Sequence, residues 1–326
     1  TSSQILNTTL KQGSTMSIKL VNQPRVESIL DREGLDGLVV VNPINFYYFS
    51  GYWGFFNTPT GFDGSYFSVL PRDSDKKPSM VIPALEIRRI ETKGRPWIKD
   101  IFSYTSDGDG SSFDDNSPKG MDYEGWPINQ TAKLTQREKN WKKIVEDFKD
   151  SYNENSFQAL VRAIKSSHLD GKKILIDDLR IERWLEKEKK LNIECIYKPH
   201  LFNEMRMVKT ENEIKILKKA AIINEEAMLS AINFMQEGFK WSDVENHYMS
   251  EMAHRGGRGV YLMCGVGELP DGRCRKNEPI MFDALGQFEH YHGDFGRCAV
   301  IESPTQEHIE KHQSLLEGWS KAKEYL

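Results

Sequence analysis

The chain of 326 residues is 38% hydrophobic, 28% charged and 11% aromatic, with a formal net charge of −4, as expected of a globular protein with two domains. This weakly acidic balance argues against a nucleic-acid-binding surface, which needs a strong basic bias. No apolar run reaches the roughly 18 residues of a membrane-spanning helix, so we expect neither nucleic acid nor a membrane among its partners.

The start of the chain and its cysteines both predict a cytoplasmic protein. Residues 1–15 are polar, rich in Ser, Thr and Gln, and lack the apolar segment of a signal peptide. We expect residues 1–20 to be a disordered or vector-derived tail, with Met16 a candidate for the natural start. The cysteines lack the close pairs of a zinc knuckle, which favours reduced thiols in the cytoplasm. They are Cys195, Cys264, Cys274 and Cys298.

Residues 21–204 are predicted to form an α/β domain, because segments with helical spacing alternate with short apolar runs. Helices are predicted at residues 26–30, 84–92, 134–163 and 179–189, and strands at residues 37–41, 66–70, 79–82 and 173–177. Between residues 105 and 130 the sequence is rich in Gly, Asp and Ser and poor in apolar residues, which predicts an exposed loop insertion.

A second domain is predicted from residue 205 to residue 326. Thr210 and Glu213 have the spacing of a helix-capping box, and the helix that they open is expected to run to about residue 235, before Gly238. A second capping box at Ser242 and Glu245 predicts another helix, which ends near residues 256–257.

Two aspartates, Asp283 and Asp294, lie eleven positions apart in a segment that predicts a β-hairpin. Residues 280–285 are predicted to form its first strand, residues 286–288 its turn, and residues 289–301 the antiparallel partner. On such a hairpin the two aspartates are expected to face each other, close enough for one metal ion to bridge them. Carboxylates suit hard or borderline divalent ions, and two ions roughly 3.5–4 Å apart can activate a water molecule.

The run from Asp283 through Tyr291, Asp294 and Arg297 to Cys298 resembles the metal hairpin of the creatinase/prolidase/methionine aminopeptidase family, the "pita-bread" metalloenzymes. Residues 26–52 resemble the start of its smaller N-terminal domain, and residues 206–221 resemble the start of its catalytic domain. The resemblance implies an α/β chain in which a creatinase-type N-terminal domain precedes the first half of a pita-bread α+β domain. It also implies a homodimer.

The resemblance implies a ligand role for each aspartate. Asp283 would be the ligand on the first strand and Asp294 the bridging ligand on the second. The ions would be Mn, Zn, Fe or Co, two of them in a complete chain. The family also uses a histidine and two glutamates later in the chain, and the present sequence does not supply them.

Five further residues are candidates for a substrate pocket. His290 and His292 alternate along the second strand and are expected to share a face with Asp294; polar positions on an edge strand are the alternative. Arg297 is expected to pair with an acidic neighbour. The aromatic residues Trp53 and Phe55 are expected to reach a neighbouring subunit's pocket, as the resemblance implies, or else to belong to a packed core.

Three functions follow from these observations. The first is a metal-dependent hydrolase resembling Xaa-Pro dipeptidase or creatinase, which would act on a dipeptide or small molecule through water activated by a dinuclear site. The second is a non-peptidase member of the same fold, such as a C–S lyase acting on a small zwitterion, because the peptidases' histidine before the first aspartate is missing from residues 263–270. The third is a non-catalytic binding module, because half of the ligand set is absent.

Overall fold

The computed structural model describes residues 18–57, 66–87, 89–90, 96–106, 133–188, 191–265 and 272–325. The chain divides into two compact units, Thr1–Thr210 and Glu211–Leu326. Within the described ranges no helix is both long enough and apolar enough to cross a membrane. The predicted N-terminal tail and loop insertion fall mainly on residues 1–17 and 107–132, outside the described residues.

The first unit is an α/β domain whose described strands form a seven-stranded sheet in the order β5-β4-β3-β2-β1-β6-β7. Strand β2 runs antiparallel to both its neighbours, and the other pairs are parallel. The strands are β1 (Gly37–Val40), β2 (Phe67–Pro71), β3 (Ser79–Pro83), β4 (Asp100–Ser106), β5 (Tyr152–Asn155), β6 (Lys173–Ile176) and β7 (Glu194–Tyr197). The helices are α1 (Gln23–Arg32), α2 (Pro43–Ser50), α3 (Gln136–Phe148), α4 (Ser156–Ser166), α5 (Leu179–Glu188) and α6 (Pro199–Met207).

Apolar cores cover both faces of this sheet. On one face Val81 of β3 belongs to a cluster with Leu160 of α4. On the other face Met80 belongs to a cluster with Phe46 of α2 and Ile144 of α3. Because both faces of the strands are covered, β1, β2 and β3 are buried along their whole length, and their sequences are continuous apolar runs rather than alternating patterns. The expected α/β fold class is confirmed.

The single helix predicted at residues 134–163 is wrong, since the structure divides this segment into α3, β5 and α4. Strand β5 pairs in parallel with β4, with Tyr152 opposite Ser103. Asn155 then starts α4, because its side-chain oxygen accepts hydrogen bonds from the backbone N–H groups of Phe157 and Gln158. Helical spacing within the segment gave no sign of pairing with a strand about 50 residues away.

A buried carboxylate links the chain segments that follow the parallel strands β1 and β6. Asp177, directly after β6, accepts hydrogen bonds from the backbone N–H groups of Val41 (2.9 Å) and Asn42 (3.0 Å) and from the side-chain amide of Asn45 (2.9 Å). Burial outweighs these hydrogen bonds and raises the pKa of Asp177 from its usual 3.8 to about 6.

This raised pKa predicts how stability depends on pH. The native state binds the Asp177 proton more tightly than the unfolded chain, so the stabilising contribution is complete below about pH 4 and is lost as the pH rises through about 6. The difference in free energy of unfolding between wild type and Asp177→Asn should therefore be larger at about pH 4 than at about pH 7, by about 2 kcal/mol, when measured by urea unfolding.

The adjacent residue provides a control of opposite sign. The hydrogen bond from Arg180 lowers the pKa of Asp178, so its stabilising contribution is present above its unfolded-state pKa and is lost as the pH falls. The difference in free energy of unfolding between wild type and Asp178→Asn should therefore become smaller as the pH falls. The explanation would be contradicted if the difference in free energy of unfolding between wild type and Asp177→Asn increased as the pH rises.

The second unit packs helices on one face of a three-stranded antiparallel sheet in the order β10-β9-β8. Its core includes Met228, Met252 and Phe282. The opposite face carries Met263 and Met281, each 52% exposed. Its described elements are α7 (Glu211–Phe234), α8 (Trp241–His254), β8 (Arg258–Gly265), β9 (Ile280–Phe288), β10 (Tyr291–Ala299) and α9 (Gln306–Glu324). The sheet thus has a helix-covered face and an open face.

Candidate metal site on the β9–β10 hairpin

The hairpin reverses through a two-residue turn at Glu289 and His290, whose φ values are 46° and 63°. Two central residues with positive φ match the right-handed twist of the flanking strands. The turn predicted at residues 286–288 is therefore wrong, and Gly286 lies inside β9, opposite Gly293. A Cβ at Gly286 would lie 2.4 Å from the Cε of Met252, so this glycine allows close packing against α8.

Asp283 and Asp294 lie on the open face of the sheet as diagonal neighbours. Asp283 pairs with Gly296, and Asp294 pairs with Leu285. The two aspartates are therefore displaced by one side-chain position along the strands, which corrects the expectation that they stand directly opposite each other. Diagonal neighbours are about 7–8 Å apart between Cα atoms and somewhat closer between Cβ atoms.

Tyr261 of β8 also belongs to the open face, and the sequence analysis missed it. It pairs with Leu285, so its side chain leaves the sheet on the same side as both aspartates. Desolvation, and then the negative charges of Asp283 and Asp294, raise the pKa of the Tyr261 phenol. The continuous apolar run at residues 260–264 is a sequence signal for a strand, but it does not show which side chains share a face. Strand β8 also skips a position between Gly259 and Tyr261, and this irregularity was not visible in the sequence.

The two histidines and Arg297 lie in three different places on the hairpin. His292 shares the open face with Asp294, and the amide nitrogen of Gln287 lies 2.7 Å from its Nε2. His290 lies in the turn, so its expected place in the strand is wrong. Arg297 leaves β10 on the helix-covered side, where its guanidinium lies 3.5 Å from the centre of the Phe295 ring.

Arg297 also has the acidic neighbour that the sequence analysis expected. One of its guanidinium nitrogens lies 3.5 Å from a carboxylate oxygen of Glu225 on α7. Both side chains are exposed enough for water to weaken this pair. Arg297 therefore links β10 to α7 and does not line the face that carries Asp283.

Trp53 and Phe55 belong to the first unit. The Trp53 ring packs edge-on against Tyr47, with centroids 5.6 Å apart. Phe55 is 44% exposed, and the guanidinium of Arg89 lies 4.7 Å from its ring centre. Their expected contact with a neighbouring subunit's pocket stays a prediction.

A buried carboxylate holds the segment that presents Phe55. Glu86 is 0% exposed and accepts hydrogen bonds from the hydroxyls of Tyr52 (2.6 Å) and Tyr66 (2.5 Å) and from the backbone N–H of Phe55 (2.5 Å). Arg89 balances its charge at 3.2 Å. The buried carboxylate of Glu86 thus holds the backbone of Phe55 in place while the Phe55 side chain lies at the surface.

The open face of the second unit offers oxygen ligands to a divalent ion. Asp283 and Asp294 are hard donors, and Gly296 places no side chain opposite Asp283. Within the described ranges no group of three His, Cys, Asp or Glu side chains comes together as a metal site. The two carboxylates therefore fit one side of a coordination sphere, which water or further protein ligands would have to complete.

Sequence comparison divides the chain in the same order as the two units. Residues 24–208 match the Creatinase/Prolidase N-terminal domain, and residues 215–326 match metallopeptidase family M24. The Xaa-Pro dipeptidase of Pyrococcus furiosus is 22% identical over 311 residues, which cover 92% of this chain and 70% of that protein. The Xaa-Pro dipeptidase of Pyrococcus horikoshii is 30% identical over 150 residues, which cover 43% of each protein.

Solved structures agree in fold. The prolidase of Pyrococcus horikoshii OT3 matches with a TM-score of 0.55 at 18% identity, covering 92% of this chain and 70% of that one. The Xaa-Pro dipeptidase of Bacillus anthracis matches with a TM-score of 0.57 at 16% identity, covering 90% of this chain and 68% of that one. With an N-terminal domain model that spans most of the first unit and a metallopeptidase model that spans most of the second, the chain belongs to the creatinase/prolidase family.

Proposed function

We propose that this chain contributes the hairpin half of the metal centre of a prolidase-type metallopeptidase, with Xaa-Pro dipeptides as substrates. The observation that carries the proposal is the placement of Asp283 and Asp294 on one open face of the β9–β10 hairpin. The match to metallopeptidase family M24 and the Xaa-Pro dipeptidase relatives support it. A pair of Mn, Zn, Fe or Co ions, a homodimer and a cytoplasmic location are parts of the same proposal.

The side chains of the open face have separate roles in this proposal. A bound divalent metal supplies activation of water and polarisation of the scissile carbonyl. Asp283 and Asp294 would hold the metal through their carboxylates. The Tyr261 hydroxyl, on the same face as both aspartates, can donate a hydrogen bond to either carboxylate and orient it. His292, which shares this face with Asp294, would contact the substrate.

A second candidate is a non-peptidase reaction on the same fold, such as C–S bond cleavage in a small zwitterion. The sequence contains no histidine between His254 and His290, whereas the resemblance leads us to expect one in the region before Asp283. In that reaction an acidic residue would remove a proton from the substrate, and no peptide bond would be cleaved.

Product analysis with defined substrates tests both candidates. The natively expressed protein that contains this chain, loaded with Mn²⁺, is incubated with Ala-Pro and with the matched control Ala-Ala, and the products are identified by mass spectrometry. We expect free proline from Ala-Pro, much less cleavage of Ala-Ala, and loss of activity with a chelator. The variant Asp283→Asn, purified in parallel, should be inactive, and this excludes a contaminating host peptidase.

Two results would contradict the peptidase proposal. The first is cleavage that persists unchanged in Asp283→Asn or in the presence of the chelator. The second is an intact Ala-Pro peptide together with Mn²⁺-dependent cleavage of a small sulfonium zwitterion, which would favour the C–S lyase.

A further inference from the structure

The core of the second unit contains a polar pair among apolar neighbours. Asn224 of α7 and Tyr248 of α8 are both 0% exposed. The Tyr248 hydroxyl donates a hydrogen bond to Asn224 Oδ1 (2.5 Å), and the Asn224 side-chain amide donates one to the backbone carbonyl of Ala284 in β9 (2.8 Å). The surrounding cluster is formed by aliphatic, methionine and aromatic side chains. An apolar pair of similar shape would be about as stable here, so stability alone does not explain this pair.

The hydrogen bond from Asn224 reaches β9 next to a proposed metal ligand. Ala284 directly follows Asp283, so the carbonyl that Asn224 binds belongs to the peptide immediately after that residue. Regular pairing of β8 with β9 is interrupted close by, where the register skips Val260. Because such an irregularity locally disrupts the ladder, the side-chain hydrogen bond adds a constraint to β9 one residue away from it.

Packing beside the pair shows that it also fixes the separation between β9 and the two helices. A Cβ at Gly286 would lie 2.9 Å from both Asn224 Oδ1 and the Tyr248 hydroxyl. The strand therefore approaches the polar pair so closely that only glycine fits at this position. The pair is therefore in close contact with the backbone of β9 at Gly286.

We propose that Asn224 and Tyr248 are positioning residues, which fix the part of β9 that carries Asp283 through the carbonyl of Ala284. The pair acts on the strand from the helix-covered face, while Asp283 projects from the open face. Its effect on metal affinity rests on the proposed function, but its effect on the strand does not.

The double variant Asn224→Leu/Tyr248→Phe separates positioning from simple packing. It removes both polar groups of the pair together, so the only partner left behind is the Ala284 carbonyl, and the urea midpoint should fall by no more than the loss of one hydrogen bond explains. Amide hydrogen exchange at residues 283–285 should nevertheless become about fivefold faster, the factor expected from loss of one hydrogen bond. Mn²⁺ affinity should fall about tenfold.

Ser230→Ala is the matched control. Ser230 Oγ lies 3.1 Å from His247 Nε2, so this contact joins the same two helices without touching β9. The control should leave exchange at residues 283–285 and Mn²⁺ affinity unchanged. Should the double variant fail to fold, Tyr248→Phe alone keeps the ring and is expected to change exchange in the same direction.

The proposal would be overturned if amide exchange at residues 283–285 stayed at the wild-type rate in a folded variant. Asn224 and Tyr248 would then contribute only to packing. Equal acceleration in Ser230→Ala would also overturn it. If wild-type protein binds no Mn²⁺ while exchange still accelerates, the proposed function fails and the positioning role stands.

Discussion

Replacing Asp283 or Asp294 by asparagine is expected to weaken Mn²⁺ binding by about a hundredfold. Each change keeps the shape of the side chain but removes one of the two negative charges on the open face that would hold the ion. Electron paramagnetic resonance of free Mn²⁺ during a titration measures the affinity directly. Because both carboxylates would serve one ion, the double variant should bind only slightly more weakly than either single variant.

The hairpin contains its own control for charge. Glu289 is an exposed carboxylate in the turn of the same hairpin, so Glu289→Gln removes a negative charge from nearby without changing the open face. Its Mn²⁺ affinity should stay within about twofold of wild type, since exposed charges are strongly screened. Equal losses in Glu289→Gln and Asp283→Asn would mean that general electrostatic attraction, and not coordination, explains the binding.

Replacing Glu86 by leucine is expected to destabilise the protein by about 4 kcal/mol. The change leaves two tyrosine hydroxyls and one backbone N–H without their shared acceptor, and it leaves Arg89 without the carboxylate at 3.2 Å. Removing one partner of a buried charged pair costs about 3–5 kcal/mol, mainly because the remaining groups stay desolvated. Urea unfolding measures the difference.

Two smaller changes and a control test this explanation. Tyr52→Phe and Tyr66→Phe each remove one hydrogen bond to Glu86 and should each cost about 1–2 kcal/mol. Glu204→Gln removes an exposed ion pair with Arg32 and should lower the free energy of unfolding much less, because water screens both charges. A Glu86→Leu variant no less stable than Glu204→Gln would show that the buried carboxylate does not hold the Phe55 segment.

The strands that could be predicted from the sequence are those with a strong local pattern. Strands β1, β2, β3 and β6 are short apolar runs bounded by turn residues, and the structure confirms all four. Strand β7, with the sequence Glu194–Tyr197, alternates in neither charge nor burial, and β5 is short and polar. Such strands form because they can pair with the edge of a neighbouring strand. When that neighbour is far away along the chain, the local sequence does not indicate the pairing.

The candidate site shows the same limit. The apolar and polar pattern of residues 280–301 predicted a hairpin that carries both Asp283 and Asp294, and the hairpin is present. Its turn was misplaced, because Gly286 suggested a reversal, whereas the structure uses Glu289 and His290, neither of which is a glycine. Tyr261 was missed because its face depends on the register of β8 relative to β9, which only the folded sheet reveals.

The most direct test of the account is the position of a bound ion in crystals grown with Mn²⁺. An anomalous-scattering map should show manganese on the open face of the β9–β10 hairpin, within coordination distance of both Asp283 and Asp294. Manganese bound elsewhere, or a hairpin with no manganese at millimolar concentration, would contradict the claim that these two aspartates form a metal site.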